Sequence, residues 1–334
     1  MLKRCITALI AAFAGLAGLD ARAADGPIVI GLPGIPPVFL AVQEYVAQEE
    51  GFFKKHGVDV QLRPFDTGAA AGRAVASGDI DTAMVPTPVV VNMVANGSVP
   101  LVGVYGLENP DWLIGSADPA LKSCKDIVGQ PIGIDTPGGA RSVALRQMIV
   151  PPPCNLKPEQ MQQVSLGSNT SAAMVAGQIK LGVLHIDDVP VIEQKLGRPL
   201  TTIITIKDVK PVSHYDLLVV RKDKLAANRD KFVRVVAALN EAEAFMRDPK
   251  NADRVAQIAA PTGRTPAEAK DSLKKYIDIE FWPKGHDGLT EKNVEAEIKT
   301  QAAVGGIQAG KPVPTVEALV DRSLFRDAVA LSKK

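Results

Sequence analysis

The stretch IVIGLPGIPPVFLAVQEYVAQEEGFFKKHGVDVQL (residues 28–62) decides the fold. It begins with an apolar strand at residues 28–32, passes through a Gly/Pro-rich loop, and continues as a helix whose apolar residues recur at helical spacing. Gly57 is expected to end the helix, and residues 58–62 alternate apolar with polar side chains, as a half-buried strand does. A strand, a crossover helix and a second strand predict the βαβ unit of a parallel α/β sheet.

The same alternation continues along the chain and predicts an α/β protein with two lobes. A second series begins near Asp111 and includes the strand PIGIDT (residues 131–136), which leads into a glycine-rich helix start. The segments ASGDIDTAMVP (residues 76–86) and VAGQIKLGVLH (residues 175–185) share one layout, with a helix end, a glycine, an isoleucine and a buried strand. We therefore expect two lobes built on one plan, with the mostly helical sequence after residue 221 covering the first lobe.

Composition limits the partners of the protein. The 334 residues exceed one average domain, and 46% are hydrophobic and 22% charged, as in an ordinary globular protein. The 38 Lys and Arg residues almost balance the 37 Asp and Glu residues, so the chain lacks the basic field with which nucleic-acid-binding proteins collect phosphates. Aromatic residues make up only 4%, which argues against stacking of bases or long sugars. We expect no nucleic-acid partner.

The first 23 residues have the three parts of an export signal. Lys3 and Arg4 precede an apolar run over residues 6–19, and residues 21–23 (ARA) have the spacing of a cleavage site. The run is too short to span a bilayer comfortably, and no later stretch offers the roughly 18 apolar residues that a membrane helix needs. Cys5 stands before the apolar run, where it cannot act as a lipid-attachment cysteine. We expect cleavage after Ala23 and a periplasmic protein that is not anchored to the membrane.

Two cysteines, Cys124 and Cys154, remain after the signal. In an exported protein a structural disulfide is the natural hypothesis, and the alternative is two unrelated buried thiols. The chain has no CxxC or HExxH spacing, and its four histidines are scattered. A metal site therefore has no local support, and we expect no cofactor.

Several segments together resemble a known family. An export signal followed by GFFKKHGVDVQL (residues 51–62), ASGDIDTAMVP, IGIDTPGGAR (residues 132–141) and a helical tail resembles the periplasmic substrate-binding proteins of nitrate, sulfonate and taurine-type ABC importers. The resemblance covers nearly all of the mature chain. It implies a two-lobe periplasmic-binding-protein fold of type II, in which two crossing strands join the lobes and a hinge motion closes them on a small solute.

The resemblance also implies where the lobes divide. The crossings would be DWLIGS near Trp112 and HYDLLVV near Tyr215. Lobe I would then comprise residues 27–110 and 216–334, and lobe II residues 111–215. The implied partners are a small-molecule solute and an ABC transporter permease, and we expect a monomer.

Three loops at the carboxyl ends of predicted strands are candidate ligand contacts. Helix N-termini at this edge of a sheet offer unpaired amides with a positive partial charge. The loops are residues 33–39, residues 86–87 and residues 136–141. Their candidate contacts are Gly34, Ile35, Pro36, Pro37, Phe39, Pro86, Thr87, Thr136, Gly138, Gly139, Ala140 and Arg141.

The third loop predicts a solute with a carboxylate or sulfonate group. Gly138 and Gly139 let the backbone approach an anion closely, and Arg141 in the first helical turn could supply a fork of donors. In the alternative, the glycines merely form a turn and Arg141 points to solvent. Because the chain is almost neutral, an anion would have to be recognised by local groups rather than by an overall field.

Five further candidates have ordinary structural alternatives. His185 ends a predicted strand and His214 precedes the return strand, positions where a histidine usually makes a structural hydrogen bond. Asp187 can cap the following helix, and the resemblance implies a loop near the ligand there. Tyr105 and Trp112 could form an apolar wall for an organic ligand or could pack in the core.

The sequence predicts a binding protein rather than an enzyme. It contains no GxSxG elbow, no P-loop and no local Ser/His/Asp or Cys/His arrangement. Two alternatives stay open: an enzyme on the same fold, resembling thiamine-pyrimidine synthases, and a ligand-loaded partner of a membrane sensor. The main prediction is an exported protein that captures a small organic anion between its lobes and delivers it to an ABC importer.

Overall fold

The computed structural model describes residues 26–332, so the predicted export signal lies outside the described residues. The described strands are β1 (Ile28–Pro33), β2 (Val60–Phe65), β3 (Thr82–Pro86), β4 (Leu101–Leu107), β5 (Leu113–Ser116), β6 (Pro131–Ile134), β7 (Gln162–Ser165), β8 (Leu181–Leu184), β9 (Thr201–Thr205) and β10 (Asp216–Arg221). The described α-helices are α1 (Val42–Glu49), α2 (Phe52–Lys55), α3 (Gly68–Ser77), α4 (Thr87–Gly97), α5 (Ala140–Ile149), α6 (Thr170–Val175), α7 (Asp188–Leu196), α8 (Ile206–Val209), α9 (Lys222–Arg247), α10 (Ala252–Ile258), α11 (Pro266–Asp278), α12 (Glu291–Ala303), α13 (Val316–Leu319) and α14 (Ser323–Ser332).

The first sheet has the strand order β2-β1-β3-β10-β4. Strands β1, β2 and β3 are parallel, and β10 is antiparallel to both β3 and β4. All six residues of β1 pair with β2, which confirms the βαβ unit predicted from residues 28–62. All five residues of β3 are buried, as expected for a central strand with both faces covered.

The second sheet repeats this arrangement with the order β7-β6-β8-β5-β9. Strands β6, β7 and β8 are parallel, and β5 is antiparallel to both β8 and β9. Strands β3 and β8 thus occupy the same place in their sheets. The shared layout of residues 76–86 and 175–185 therefore reflects one structural plan, as predicted.

Two segments of the chain connect the sheets. The chain leaves β4 at Leu107 and enters the second sheet at Leu113, and it returns through residues 206–215 to Asp216. The predicted two-lobe α/β architecture and its crossings near Trp112 and Tyr215 are confirmed. The division into residues 27–110 plus 216–334 and residues 111–215 remains our proposed assignment of the lobes.

The helices after β10 pack on the first sheet and its helices. Helix α9 contacts α1, α14 and β4, and α12 packs against α4. Helix α11 begins with a capping box, in which Thr265 Oγ1 accepts a hydrogen bond from the amide of Glu268 and the carboxylate of Glu268 accepts one from the amide of Thr265.

Two local predictions were wrong. The first helix ends at Glu49 rather than at Gly57, because Gly51 adopts a left-handed conformation (φ +73°) and separates it from the short helix α2. The sequence Pro86-Thr87-Pro88 also predicts that Thr87 caps the next helix, but Pro86 holds the N-cap position of α4 and the Thr87 hydroxyl lies 2.7 Å from Nδ1 of His214.

The predicted disulfide is present. Cys124 and Cys154 are bonded, with their Cα atoms 5.3 Å apart and 30 residues of sequence separation. Both belong to the loops that flank β6 and α5 and pack against the core. Across residues 26–332, none of the helices combines the length and the apolar character that crossing a membrane would require.

Candidate functional site

A cavity of about 40 Å³ lies where the carboxyl edges of the two sheets face each other. Loops after β1, β2, β3, β6, β7 and β8 contribute to its wall. The two crossing segments contribute Trp112 and the pair Tyr215–Asp216. The cavity is therefore built from both sheets, at the edge where open α/β sheets bind ligands.

A second pocket of about 220 Å³ adjoins this cavity and shares Val38, Arg141, Ser168 and His185 with it. Its wall includes the start of α7 and the loop at Arg264, which belongs to the helical tail. The cavity thus opens toward a cleft between the tail and the second sheet.

The structure brings nine of the sixteen predicted contacts into these two linings. They are Gly34, Pro36, Pro37, Phe39, Pro86, Ala140, Arg141, His185 and Asp187. The remaining seven belong to neither lining: Ile35, Thr87, Tyr105, Thr136, Gly138, Gly139 and His214. Contact of any of these residues with a solute stays a prediction.

Arg141 is buried in the cavity wall and does not point to solvent. Its guanidinium donates to the carbonyl oxygen of Val183 and, at 3.4 Å, to Oδ2 of Asp188. The same group lies over the ring of Trp112, 5.6 Å from the ring centroid. Because a guanidinium has five N–H donors, these contacts leave donors for a further partner.

The N-terminus of α5 already holds a carboxyl group of the protein. The amide of Ser142 donates to Oδ1 of the buried Asp135 at 3.3 Å. Gly139 is required here, since a Cβ atom would lie 2.4 Å from Oδ2 of Asp135. Burial raises the pKa of Asp135, although hydrogen bonds from the nearby backbone amides oppose this rise. A solute anion at this helix start would share the amides with Asp135.

A network of buried charges links the helical tail to the second sheet. Arg264 donates to Oδ2 of Asp187 at 2.6 Å and to Oδ1 of Asp188 at 3.0 Å. Burial opposes ionisation of Asp188, but the charge of Arg141, with His185 and Arg264, holds its pKa well below the usual range. Asp187 and Asp188 therefore serve mainly to bind protein cations.

Asp111 of the first crossing organises the aromatic side of the site. Its Oδ2 lies 3.0 Å from Nδ1 of His185 and accepts a hydrogen bond from the hydroxyl of Tyr276 at 2.7 Å. The ring of His185 packs on Trp112 with a centroid distance of 4.0 Å, and Trp112 lies 5.9 Å from Tyr215. The cavity thus has a preformed aromatic wall whose rings are fixed by packing and hydrogen bonds.

His214 and Tyr105 have structural partners. Nε2 of His214 lies 2.6 Å from the carbonyl oxygen of Gly288, which can only accept, so Nδ1 accepts from the Thr87 hydroxyl. Burial lowers the pKa of His214 to about 4, which keeps the ring neutral. The fully buried Tyr105 accepts a hydrogen bond from Nε2 of Gln43 at 2.9 Å.

Sequence reasoning missed several residues of the cavity wall. Asp66 follows β2 and Ser168 follows β7, two strand ends that are not among the three candidate loops. Asp216 begins the antiparallel strand β10, and Tyr215 precedes it. Their position at a crossing could have predicted their place in the cavity wall. An antiparallel strand begins at the edge of the sheet where its parallel neighbours end.

Comparison with known proteins supports the same fold. A protein of Brucella abortus that is described as a binding protein is 23% identical over 202 residues, which cover 60% of this chain and 61% of the relative. The chain thus spans about three fifths of the length of that curated relative.

Two solved structures share the fold at low identity. The periplasmic nitrate-binding protein NrtA of Synechocystis PCC 6803 has a TM-score of 0.72 and 14% identity, covering 91% of this chain and 89% of that one. The alkanesulfonate-binding protein SsuA of Xanthomonas axonopodis pv. citri, bound to MOPS, has a TM-score of 0.68 and 16% identity, covering 89% of this chain and 98% of that one. These structures establish the predicted periplasmic-binding-protein fold of type II.

The family itself follows from the sequence. The family model described as NMT1/THI5 like matches residues 41–252, which is more than half of the chain and includes both crossings and most of the cavity wall. The chain therefore belongs to the NMT1/THI5-like family.

Proposed function

We propose that this chain is the exported solute-binding protein of an ABC importer, which captures a small organic solute between its lobes in the periplasm and delivers it to a permease. The observation that carries the proposal is the cavity lined by residues from both sheets and from both crossings. A site that is completed only when two lobes meet favours capture by closure.

Direct contacts across the cleft support closure as the mechanism. The hydroxyl of Ser168, after β7, donates to the carbonyl oxygen of Ile35, after β1, at 2.8 Å. Arg264 of the helical tail binds Asp187 and Asp188 beside the second sheet. When the lobes separate, these groups would form hydrogen bonds with water instead of with each other. The contacts between the lobes would therefore supply part of the free energy of closing, and the solute would supply the rest.

We further propose that the solute carries a carboxylate or sulfonate, which Arg141 recognises. The buried guanidinium lies in the cavity wall and retains free donors, which supports this assignment. The amides of the α5 N-terminus contribute less than the sequence suggested, because Asp135 already accepts from them.

A thermal-shift screen of the mature protein tests the proposal. The panel should contain small carboxylates, sulfonates, nitrate, amines and heterocycles, with each amine accompanied by its hydroxyl counterpart. A ligand at 100 times its dissociation constant stabilises the native state by about 2.7 kcal/mol, which such a screen detects. Absence of any stabilising solute, or absence of compaction in small-angle scattering with the best one, would contradict solute capture.

The same solutes distinguish binding from catalysis. We propose that the bound solute is released unchanged. Mass spectrometry after prolonged incubation should return only the added compound, and formation of a new product would favour the enzyme alternative.

A further inference from the structure

We propose that the chain has a second binding site, which takes a small phosphate ester that also carries hydroxyl groups. The site is a groove of about 550 Å³ that is lined by α3 and α4, by the start of α5, and by the end of α12 with the loop that follows it. It shares no lining residue with the cavity or with the pocket that adjoins the cavity. Its volume lies in the range of small-molecule sites.

The charge of the groove favours an anion. Among the described residues that line it are two arginines, Arg73 and Arg146, and no aspartate or glutamate. Within residues 26–332 neither guanidinium is paired with a carboxylate: Arg73 is exposed, and Arg146 donates to the carbonyl oxygen of Val304 at 3.2 Å. Two guanidiniums without a counter-charge match a phosphate group, which carries almost two negative charges and accepts paired hydrogen bonds.

Two amide oxygens in the groove require hydrogen-bond donors. Gln301 is fully buried, and among the described residues neither its Oε1 nor Oδ1 of Asn92 has a hydrogen-bond partner. The amide nitrogen of Gln301 faces the carboxylate of Glu297 at 3.5 Å, and because a carboxylate only accepts, the oxygen of the amide is the atom left for a ligand. A buried acceptor without a partner is costly, and hydroxyl groups of a ligand would satisfy both oxygens.

The loop after α12 brings the arginine and the amide oxygens together. Arg146 binds the carbonyl of Val304, and a Cβ atom on Gly306 would overlap the amide oxygens of both Gln301 and Asn92. Because consecutive Cα atoms are about 3.8 Å apart, the backbone at residues 304 and 306 lies within about 8 Å. One small molecule can therefore reach both kinds of contact, and glycine at position 306 keeps the space beside the oxygens free.

The groove also joins elements of both sheets. Arg73 lies on α3, which packs on β1 and β3 of the first sheet, and Arg146 lies on α5, which packs on β6 and β8 of the second. An ester that contacts both arginines would favour the arrangement of the lobes in which both are within reach. This consequence, unlike the site itself, rests on the proposed function.

Calorimetry with three matched probes in a phosphate-free buffer tests the site. The probes are glycerol 3-phosphate, n-propyl phosphate and glycerol, which carry the phosphate with hydroxyl groups, the phosphate alone and the hydroxyl groups alone. Wild type should bind glycerol 3-phosphate about tenfold more tightly than n-propyl phosphate, the range of two neutral hydrogen bonds. Glycerol should show no measurable binding, because it offers the arginines no charge.

Two variants separate the contacts. Arg73→Ala should weaken binding of both esters by about tenfold to a hundredfold, the range of one charge-assisted hydrogen bond. Arg326→Ala is the matched control, because it removes the same charge from an exposed position on α14 outside the groove. Asn92→Ala should weaken binding of glycerol 3-phosphate and leave that of n-propyl phosphate unchanged.

Each outcome bears on a separate claim. Wild type that binds neither ester, or an Arg73 variant that binds both as tightly as wild type, would overturn the site. Equal affinity of wild type for the two esters would overturn the role of the amide oxygens. Saturating glycerol 3-phosphate should make wild type more compact in small-angle scattering, and unchanged scattering would overturn the effect on the lobes. Binding of the ester by a protein that captures no solute in the thermal-shift screen would contradict the proposed function and leave this site intact.

Discussion

Arg264→Ala should shift the protein from its closed to its open arrangement. Arg264 belongs to the helical tail, whereas its partners Asp187 and Asp188 lie at the start of α7 beside the second sheet. The arginine therefore bridges two parts of the molecule that a hinge motion would separate. In the open arrangement both carboxylates would be hydrated. Loss of the arginine should therefore raise mainly the free energy of the closed arrangement.

The structure sets the size of the effect. Removing one partner of a buried ion pair costs about 3–5 kcal/mol because the other charge is left uncompensated. The side chain of Arg264 is 16% exposed, and Arg141 stays on Asp188. We therefore expect a penalty of about 2 kcal/mol, which corresponds to roughly thirtyfold weaker binding of a solute whose capture requires closure.

Calorimetry and small-angle scattering with the best hit of the solute screen measure this effect. Arg229→Ala is the matched control, since Arg229 also binds two aspartates, Asp321 and Asp327, but all three residues lie in the tail. The control should bind solute as wild type does. Equal dissociation constants for the Arg264 and Arg229 variants would refute the closing role of Arg264.

Three further predictions concern binding and stability. Arg141→Ala should weaken binding of an anionic hit by about tenfold to a hundredfold while Arg141→Lys recovers only part, and calorimetry showing equal affinities would refute the anion contact. Replacing Cys124 and Cys154 by serine should lower the free energy of unfolding by about 3–4 kcal/mol for a loop of 30 residues, and an unchanged urea midpoint would contradict this. Burial raises the pKa of Glu44 from 4.5 to about 7. The folded state therefore favours the protonated form, and the free energy of unfolding falls as the pH rises from 4.5 to 7. The free energy of unfolding of Glu44→Gln, measured with urea, should therefore rise by about 3 kcal/mol relative to that of wild type as the pH goes from about 4.5 to about 8. A difference between the two proteins that does not change with pH would exclude the titration of Glu44 as the cause.

Much of the fold was predictable because local patterns repeat in it. The strand at residues 28–32 and its partner after Gly57 differ from their neighbours in both periodicity and composition, and they pair as expected. The boundaries were less predictable, since two glycines within seven residues could each end a helix. Gly51 does so first, and the short helix α2 that follows it packs against α9, a contact that the local sequence does not reveal.

The candidate site was predictable where a motif accompanied it. The Gly/Pro loop after β1 and the helix start at Arg141 both reached the cavity wall. Arg141 could not be assigned a partner from sequence, because Asp188 lies 47 residues away and meets it only through the order of strands in the second sheet. Asp135 was missed for a different reason: it lies only seven residues before Ser142, but it was read as part of the strand PIGIDT rather than as a partner of the helix start.

The two crossings show that the order of strands predicts some residues of the cavity wall better than motifs do. Trp112 and Tyr215 each immediately precede the antiparallel strand of a sheet, and those strands hold equivalent places in the two sheet orders. An antiparallel strand starts at the edge where its parallel neighbours end, so the residues at its start must face the cleft whatever their sequence. In the second sheet the carboxylate of the neighbouring Asp111 contacts His185 and Tyr276. In the first sheet neither carboxyl oxygen of Asp216 has a hydrogen-bond partner among the described residues. The two lobes therefore share one backbone plan but differ in how the carboxyl group at each crossing is used.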